Sequence, residues 1–315
     1  MIALTGGKTG GHIMPLIAIS KRLDDICYVG SYDSLEERIC KKNNIKFYGI
    51  NLYNNKICKV IKAYKELKLP KINAIISTGG YVSVPLLLYG VLHRIPIYLI
   101  ESNITTGITN NIFSFFSKKI FLTYDIKKTS KKYIVSGLPT LAKEVSYSQY
   151  QKYDFDILII GSSLGSKPLC DLVFELNKHY RIMLIAGKYY QNYQDIDNVI
   201  CLDFVENLPN LMLHAKLIIS RAGASTTYEI FSIGKPCIII PSRKTKLNHQ
   251  VINAKFFEEK KCCITIDELE CNKKILDKVS YIMNNDNIKI NMINNQTNMV
   301  IKDSVNIIIN NIKER

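Results

Sequence analysis

The sequence predicts an α/β protein built as two parallel-sheet halves, each with helices on both faces. Three observations carry this. Short apolar runs alternate with amphipathic stretches along the chain, the pattern of repeated strand–helix–strand units. The apolar runs, such as "NAIIS" and "DILIIG", are continuous rather than alternating, and strands buried on both faces belong to parallel sheets. The pattern then restarts after "SGLPT" at 136–140.

The elements follow in order. "IALT" is a strand, and a helix begins at about His12. "ICYVG", a helical stretch over 33–43 and "IKFYGI" come next. A Lys-rich helix over 56–68, "NAIIS", a helix from Val82, "IPIYLI" and "KKIFLT" complete the first half. The second half runs "DFDILIIG", "RIMLIAG", "VICLDF", "AKLIIS" and "KPCIIIP", with helices between. The Asn-rich stretch 284–298 carries Ile and Met at helical spacing and reads as helix. The boundary falls in the polar stretch 138–150, which divides the chain into domains 1–140 and 141–300. A last helix, at about 300–315, is expected to pack back on the first domain. Each half reads as Rossmann-like, and the two are expected to face each other across a cleft.

Composition narrows the classes. A chain of 315 residues suffices for two domains and a sizeable core. A hydrophobic share of 47% excludes a disordered chain. The net charge of +15 fits nucleic acid, anionic lipid or a phosphate-bearing substrate, and fits equally a chain that is simply rich in Lys and Asn. Nine cysteines without a CxxC pair read as reduced thiols rather than a disulfide or metal framework. The opening "MIALTGG" runs straight into a strand, so no leader peptide is expected. The longest apolar run, "VSVPLLLYGVL" at 82–92, is short of the roughly 18–20 residues of a membrane span and contains Pro85 and Gly90.

Four loops at strand ends are rich in Gly and Ser: "TGGKTGGH" (5–12), "STGGYVS" (77–83), "GSSLGS" (161–166) and "SRAGAST" (220–226). Each leads from a buried strand into a helix. Bare N–H groups at a helix start, with the positive end of its dipole, suit anionic oxygens. None is the GxGxxG dinucleotide fingerprint, and none is a P-loop. A single such loop is equally a plain tight turn, but two in each half point to ligand sites. His12 follows the first loop. It reads either as a structural histidine at a helix start or as a base beside an acceptor.

These stretches resemble the MurG family, the peptidoglycan N-acetylglucosaminyltransferases with a GT-B fold. "TGGKTGGHIMPLIAI" is similar to the family's first glycine loop through Thr9, Gly10, Gly11, His12 and Pro15. "STGGYVSVP" resembles the second through Gly79, Gly80, Tyr81, Ser83 and Pro85. "IESNITTGITN" resembles the acceptor-side motif through Glu101, Asn103, Gly107, Thr109 and Asn110. "IIGSSLGSKPL" is similar to the third loop through Ser163 and Gly165. "SRAGASTTYEI" resembles the nucleotide-sugar motif at Arg221, Gly223, Ala224, Thr226 and Glu229, and "NHQVINA" the last motif at Gln250, Asn253 and Ala254. Four positions depart from the pattern. Ile100 stands for His, Ser102 for Gln and Leu247 for an acidic residue, and "LPTL" (138–141) lacks the junction arginine.

The resemblance implies transfer of N-acetylglucosamine from UDP-GlcNAc to the C4 hydroxyl of the muramoyl sugar of lipid I, with inversion, giving lipid II. Inversion needs a base at the acceptor hydroxyl and a partner for the leaving diphosphate. His12 is the first candidate base and Glu101 the second. Gly10, Gly11, Gly80, Tyr81 and Asn103 are the implied acceptor contacts. Thr9, Gly10, Gly11, His12, Asn103, Ser163, Arg221, Gly223, Ala224, Ser225 and Thr226 are implied donor contacts. Glu229 would hold the ribose hydroxyls, Gln250 and Asn253 the GlcNAc, and Phe204 and Val205 the uracil. No metal and no cofactor is expected, since helix N-termini would carry the diphosphate. The lipid acceptor implies a peripheral protein on the cytoplasmic face of the plasma (inner) membrane, partnered by an anionic surface and not by nucleic acid. Cell-wall synthesis and division proteins are further expected partners. Lys56, Lys59, Lys62, Lys65 and Lys68, three apart beside Ile57, Ile61 and Tyr64, read as a basic membrane-surface helix or an ordinary solvated one. Phe113, Phe115 and Phe116 offer a second apolar surface, or a piece of core. Two alternatives stand beside this reading: a GT-B enzyme with another lipid acceptor, and a non-catalytic descendant.

Overall fold

Strands of the second half are made almost wholly of Ile, Leu, Val, Met and Cys, and those of the first half mix such residues with Tyr, Phe, Gly, Ser and Thr. Their side chains are driven out of water on both sheet faces. The computed structural model describes residues 1–7, 9–52, 57–126, 130–142, 150, 153–161, 165–205 and 207–313. The chain divides into one unit of Met1–Thr140 with Ile301–Arg315, and another of Leu141–Val300.

The first unit runs β1 (Ile2–Gly6), α1 (Gly10–Ser20), β2 (Ile26–Ser31), α2 (Leu35–Lys42), β3 (Lys46–Ile50) and α3 (Ile57–Glu66). It continues through β4 (Ala74–Gly79), α4 (Val84–Leu92), β5 (Ile97–Glu101), α5 (Ile108–Ser114), β6 (Lys119–Leu122) and β7 (Tyr133–Val135). All seven strands are parallel, in the order β3-β2-β1-β4-β5-β6-β7. The chain winds outward from β1 in one direction and outward from β4 in the other. The switch point therefore lies between β1 and β4, the two strands that end in the first two glycine loops. A crevice opens at such a point because the connections on its two sides leave in opposite directions. Register slips between Thr5 and Gly6, so Gly6 faces Gly79 across the pair.

The second unit repeats the plan: β8 (Ile157–Ile160), α6 (Lys167–Cys170), α7 (Val173–Leu176), β9 (Ile182–Ile185), β10 (Val199–Leu202), α8 (Leu208–Met212) and β11 (Leu217–Ser220). Then come α9 (Ala224–Ile233), β12 (Cys237–Ile239), α10 (His249–Glu259), β13 (Ile264–Thr265), α11 (Cys271–Met283) and α12 (Asp286–Met299). The order is β10-β9-β8-β11-β12-β13, again all parallel. Its switch point lies between β8 and β11, which end in the other two glycine loops. The last helix, α13 (Ser304–Lys313), packs on α1 within the first unit and buries Ile308 and Ile309.

Two strands escape a reading by hydrophobic runs. β7 has three residues beside a Lys pair, and β13 has only two. The Lys-rich helix is shorter than its charge pattern. It ends at Glu66, Lys68 lies beyond it, and Lys56 lies outside the described residues. It buries Val60 and Ala63, and leaves Ile61 48% exposed. The described cysteines are free thiols, nearly all buried. Burial pushes Cys27 and Cys170 to about 11, and Cys40 and Cys262 to about 12.

Candidate active site

At the switch point of the first unit, two glycine loops close on His12. The residue stands in the first turn of α1. Its Nδ1 lies 3.0 Å from the Thr78 carbonyl oxygen. A carbonyl only accepts, so Nδ1 carries a proton, and in the neutral ring the lone pair is then on Nε2. Thr78 answers by donating its hydroxyl to the His12 carbonyl at 2.8 Å. Glycine makes this approach possible. A Cβ on Gly6 would lie 2.0 Å from Thr78 Oγ1, and one on Gly7 would lie 2.8 Å from Glu36 Oε1. Gly80, at φ +86°, brings the second loop to the same place, with its Cβ direction 4.0 Å from His12 Cδ2. Tyr81 follows in a short 3-10 turn and packs partly against the core.

Glu101 ends β5 next door. It is buried and accepts four hydrogen bonds: from the Asn103 N–H at 3.1 Å and side-chain amide at 3.4 Å, and from the Gly107 N–H and the Asn110 amide at 2.9 Å each. Burial raises its carboxyl above the usual range, and the four donors pull the other way. The carboxylate thus shapes the loop 102–107 from within. Asn110 in turn presses on Gly79, where a Cβ would sit 2.6 Å from Asn110 Oδ1. A continuous contact chain therefore joins Glu101, Asn110, Gly79, Gly80 and His12.

At the switch point of the second unit α9 starts after Gly223; α10 starts after Asn248, beyond the neighbouring strand β12. Neither Gly223 nor Asn248 caps its helix with a side chain, and helix starts of this kind suit anionic oxygens. A Cβ on Gly223 would meet nothing within 4 Å, and the same holds for Gly10 at the start of α1. Neither glycine is required by the protein's own packing. By contrast, a Cβ on Gly161 would strike the Ile185 carbonyl at 2.7 Å. Gln250 accepts from the Ser242 N–H at 2.8 Å through Oε1. Asn253 is fully buried and donates to the Ala222 carbonyl at 3.1 Å. Arg221 is buried as well, and its guanidinium binds Ser166, the Ile240 carbonyl and Glu268. Ala224, Ser225 and Thr226 form the first turn of α9. Phe204 is exposed, and its N–H donates to Asp203 at 2.7 Å; Val205 beside it is half-buried. Ser163 lies outside the described residues. Among the described residues no group of three or more His, Cys, Asp or Glu side chains could hold a metal ion.

Glu229 lies one turn into α9 and is half-buried, with no hydrogen-bond or ion-pair partner among the described residues. Burial alone pushes its carboxyl up to about 7. A polar group left this way is poised for donors from outside the fold.

Two family models divide the chain between them: the glycosyltransferase family 28 N-terminal domain over residues 2–122 and its C-terminal domain over 157–307. Curated relatives match over nearly their whole length. UDP-N-acetylglucosamine--N-acetylmuramyl-(pentapeptide) pyrophosphoryl-undecaprenol N-acetylglucosamine transferases of Clostridium botulinum and Clostridium tetani are 33% and 31% identical, covering 98% and 99% of this chain and 96% and 97% of their own. The chain belongs to the MurG family. The crystal structure of Acinetobacter baumannii MurG matches all of the chain and 99% of its own with a TM-score of 0.79 at 22% identity. A Streptomyces glycosyltransferase, SsfS6, complexed with thymidine diphosphate, matches at 0.68 and 11% identity over 100% of this chain and 99% of its own. These likenesses establish the GT-B fold, and the chain is a glycosyltransferase of the MurG family.

Within that family frame, the structure brings His12, Gly80 and Tyr81 together in one unit. In the other it joins Asn253 to the loop of Arg221 and Gly223 through the Ala222 carbonyl; Glu229 lies further along α9, and Gln250 binds the Ser242 N–H. Two supporting residues lie outside the motifs: Glu36 is buried beneath Gly7, and Glu268 pairs with Arg221, whose other partner, Ser166, closes the third glycine loop. Nothing in local spacing marks Glu36 or Glu268. Their roles come from which strand ends lie side by side.

Glu229 sets a pH-dependent test. Between its ordinary 4.5 and about 7 the folded protein holds this proton while the unfolded chain has released it. Stability therefore falls as pH rises through that window. Glu229→Gln removes the penalty, so the variant should melt above wild type at pH 8 and level with it at pH 4. An equal melting difference at both pH values would show an ordinary carboxyl.

Proposed function

We propose that the chain moves N-acetylglucosamine from UDP-N-acetylglucosamine to the C4 hydroxyl of the muramoyl sugar of lipid I, giving lipid II. The observations that carry this reading are a histidine held to the Thr78 carbonyl at the switch point of one unit and the glycine-led start of α9 at the switch point of the other. The names of the full-length relatives supply the substrates. In the reaction the acceptor C4 oxygen attacks C1 of the donor sugar, the bond from C1 to the diphosphate oxygen breaks, and C1 inverts. His12 Nε2 takes the hydroxyl proton. The N–H groups at Gly223–Ser225 receive the charge of the departing UDP. Glu229 accepts from the ribose hydroxyls, and the Gln250 amide faces the sugar. Glu101, Arg221 and Asn253 act as positioning residues, since their polar atoms are taken up inside the protein. Unit 1–140 with 301–315 serves the acceptor, and unit 141–300 the donor.

The acceptor's lipid brings the protein to an anionic membrane surface on the cytoplasmic face. No described helix is long and apolar enough to cross a membrane. The contact surface we assign is the end of α5. Phe113 is buried there, whereas Phe115 is 83% exposed beside exposed Phe116, Ile112 and Ile108. Lys132 donates to the Phe115 carbonyl at 3.1 Å, and Arg94 and Lys118 line the same hollow as Phe116. Apolar rings with a basic rim suit the headgroup boundary. The α3 lysines extend the charge.

Turnover of UDP-GlcNAc with a lipid I analogue, against other nucleotide sugars, tests the function; absence of transfer by the wild-type chain would refute it. His12→Ala should lower kcat by about 10²–10⁴ and leave UDP affinity unchanged. A folded variant with near-wild-type kcat would make the histidine structural. Gly223→Ala should keep the melting temperature while UDP binding, read by calorimetry, weakens by about tenfold or more; unchanged affinity would remove the diphosphate from that loop. Phe115→Ser with Phe116→Ser should reduce co-sedimentation with anionic vesicles and spare transfer to a soluble acceptor. Equal sedimentation of both proteins would place the contact elsewhere.

A further inference from the structure

Arg221 belongs to a motif that the family resemblance assigns to the nucleotide sugar, yet each of its nitrogens has a partner inside the second unit. Nε and one terminal nitrogen donate to Ser166 Oγ at 3.1 and 2.7 Å. The other terminal nitrogen donates to the Ile240 carbonyl at 3.1 Å. An ion pair with Glu268 completes the set. The two charged side chains are only 10% and 14% exposed.

The positions of the partners matter more than their number. Ser166 follows β8, Arg221 follows β11, Ile240 follows β12 and Glu268 follows β13. These are four neighbouring strands, in that order, at their carboxyl ends. Ladder hydrogen bonds tie the strands themselves but stop where the loops begin. Beyond that edge the guanidinium joins all four ends, Arg243 with Asp267 joins the last two and Asn253 holds the Ala222 carbonyl, and Gly223 lies two residues from Arg221. Ser166, at the start of α6, makes no cap to its own helix, because its oxygen is taken by Arg221.

We propose that Glu268 is a positioning residue for the nucleotide-sugar site, acting through Arg221. The inference rests on the donor reading of this switch point. An arginine stays charged when buried, so its orientation depends on the carboxylate that faces it. With Glu268 in place the fork holds one geometry, and the loop to Gly223 is fixed before the ligand arrives. Without it the guanidinium turns toward water and carries the loop along. A misplacement of about 1 Å at a binding loop is enough to lose up to a hundredfold.

The experiment compares Glu268→Ala, Glu268→Gln and the charge-free pair Arg221→Met with Glu268→Met. UDP affinity is measured by calorimetry, well below each protein's melting temperature, together with the KM values for donor and acceptor. Glu268→Ala should weaken UDP and raise donor KM by about tenfold or more, with acceptor KM unmoved. Glu268→Gln keeps the acceptor oxygen and should recover much of the loss. The charge-free pair should regain stability, as apolar replacements of buried ion pairs do, but not UDP affinity. Wild-type affinity in folded Glu268→Ala, or a charge-free pair that regains affinity along with stability, would overturn the proposal. Should the wild-type chain itself bind no UDP, the donor reading fails instead.

Discussion

Parallel strands all end on the same edge of a sheet, and each hands the chain to a helix whose first N–H groups lack partners. That constraint organises the whole molecule. Some helix starts resolve it internally. Ser34 caps α2 by accepting from the Glu37 N–H, and Asn207 caps α8. The starts of α1, α9 and α10 have no such cap. The first two of these lie beside the switch points, and α10 follows the strand next to β11 in the sheet. Most other helix starts also lack a side-chain cap, so the place beside a switch point, and not the missing cap, singles out α1 and α9.

Around these open starts the polar side chains divide by task. Glu101, Asn110, Arg221 and Asn253 hydrogen-bond inside the protein and hold loops in place, with Asn110 Oδ1 left without a partner among the described residues. Glu229 and the Gln250 amide keep capacity for something outside. The first group is buried, and Glu101 and Arg221 in it are multiply bonded, which is the condition for pre-organisation. The second group carries the cost of waiting, visible in the upward push on Glu229. Site residues that look equivalent in a motif are therefore not equivalent in chemistry.

The fold was largely legible in the sequence, because doubly buried strands leave continuous apolar runs and the glycine loops mark their ends. What escaped were elements with too few residues for a period, β7 and β13. The site was legible in its positions but less so in its roles. The sequence offers Glu101 as a second base but does not show the four donors around it. It offers Arg221 as a donor contact but does not show Glu268, 47 residues away along the chain, against it. Such pairings depend on strand order, which no local window contains. The "NIFSFF" stretch shows the same limit on a smaller scale. Only the helix end after Ser114 decides that Phe113 turns inward while Phe115 stays in solvent.

The buried thiols have a practical consequence. With Cys27, Cys40, Cys170 and Cys262 held near 11 or 12, almost none is thiolate at neutral pH. Alkylating agents and mild oxidants find little to attack at these positions while the sheets are closed. Once a sheet opens, the same sulfurs meet water and return to ordinary reactivity. A thiol-reactive dye would then light up in proportion to opening, and mass spectrometry of the labelled sites would say which of the two sheets had opened first.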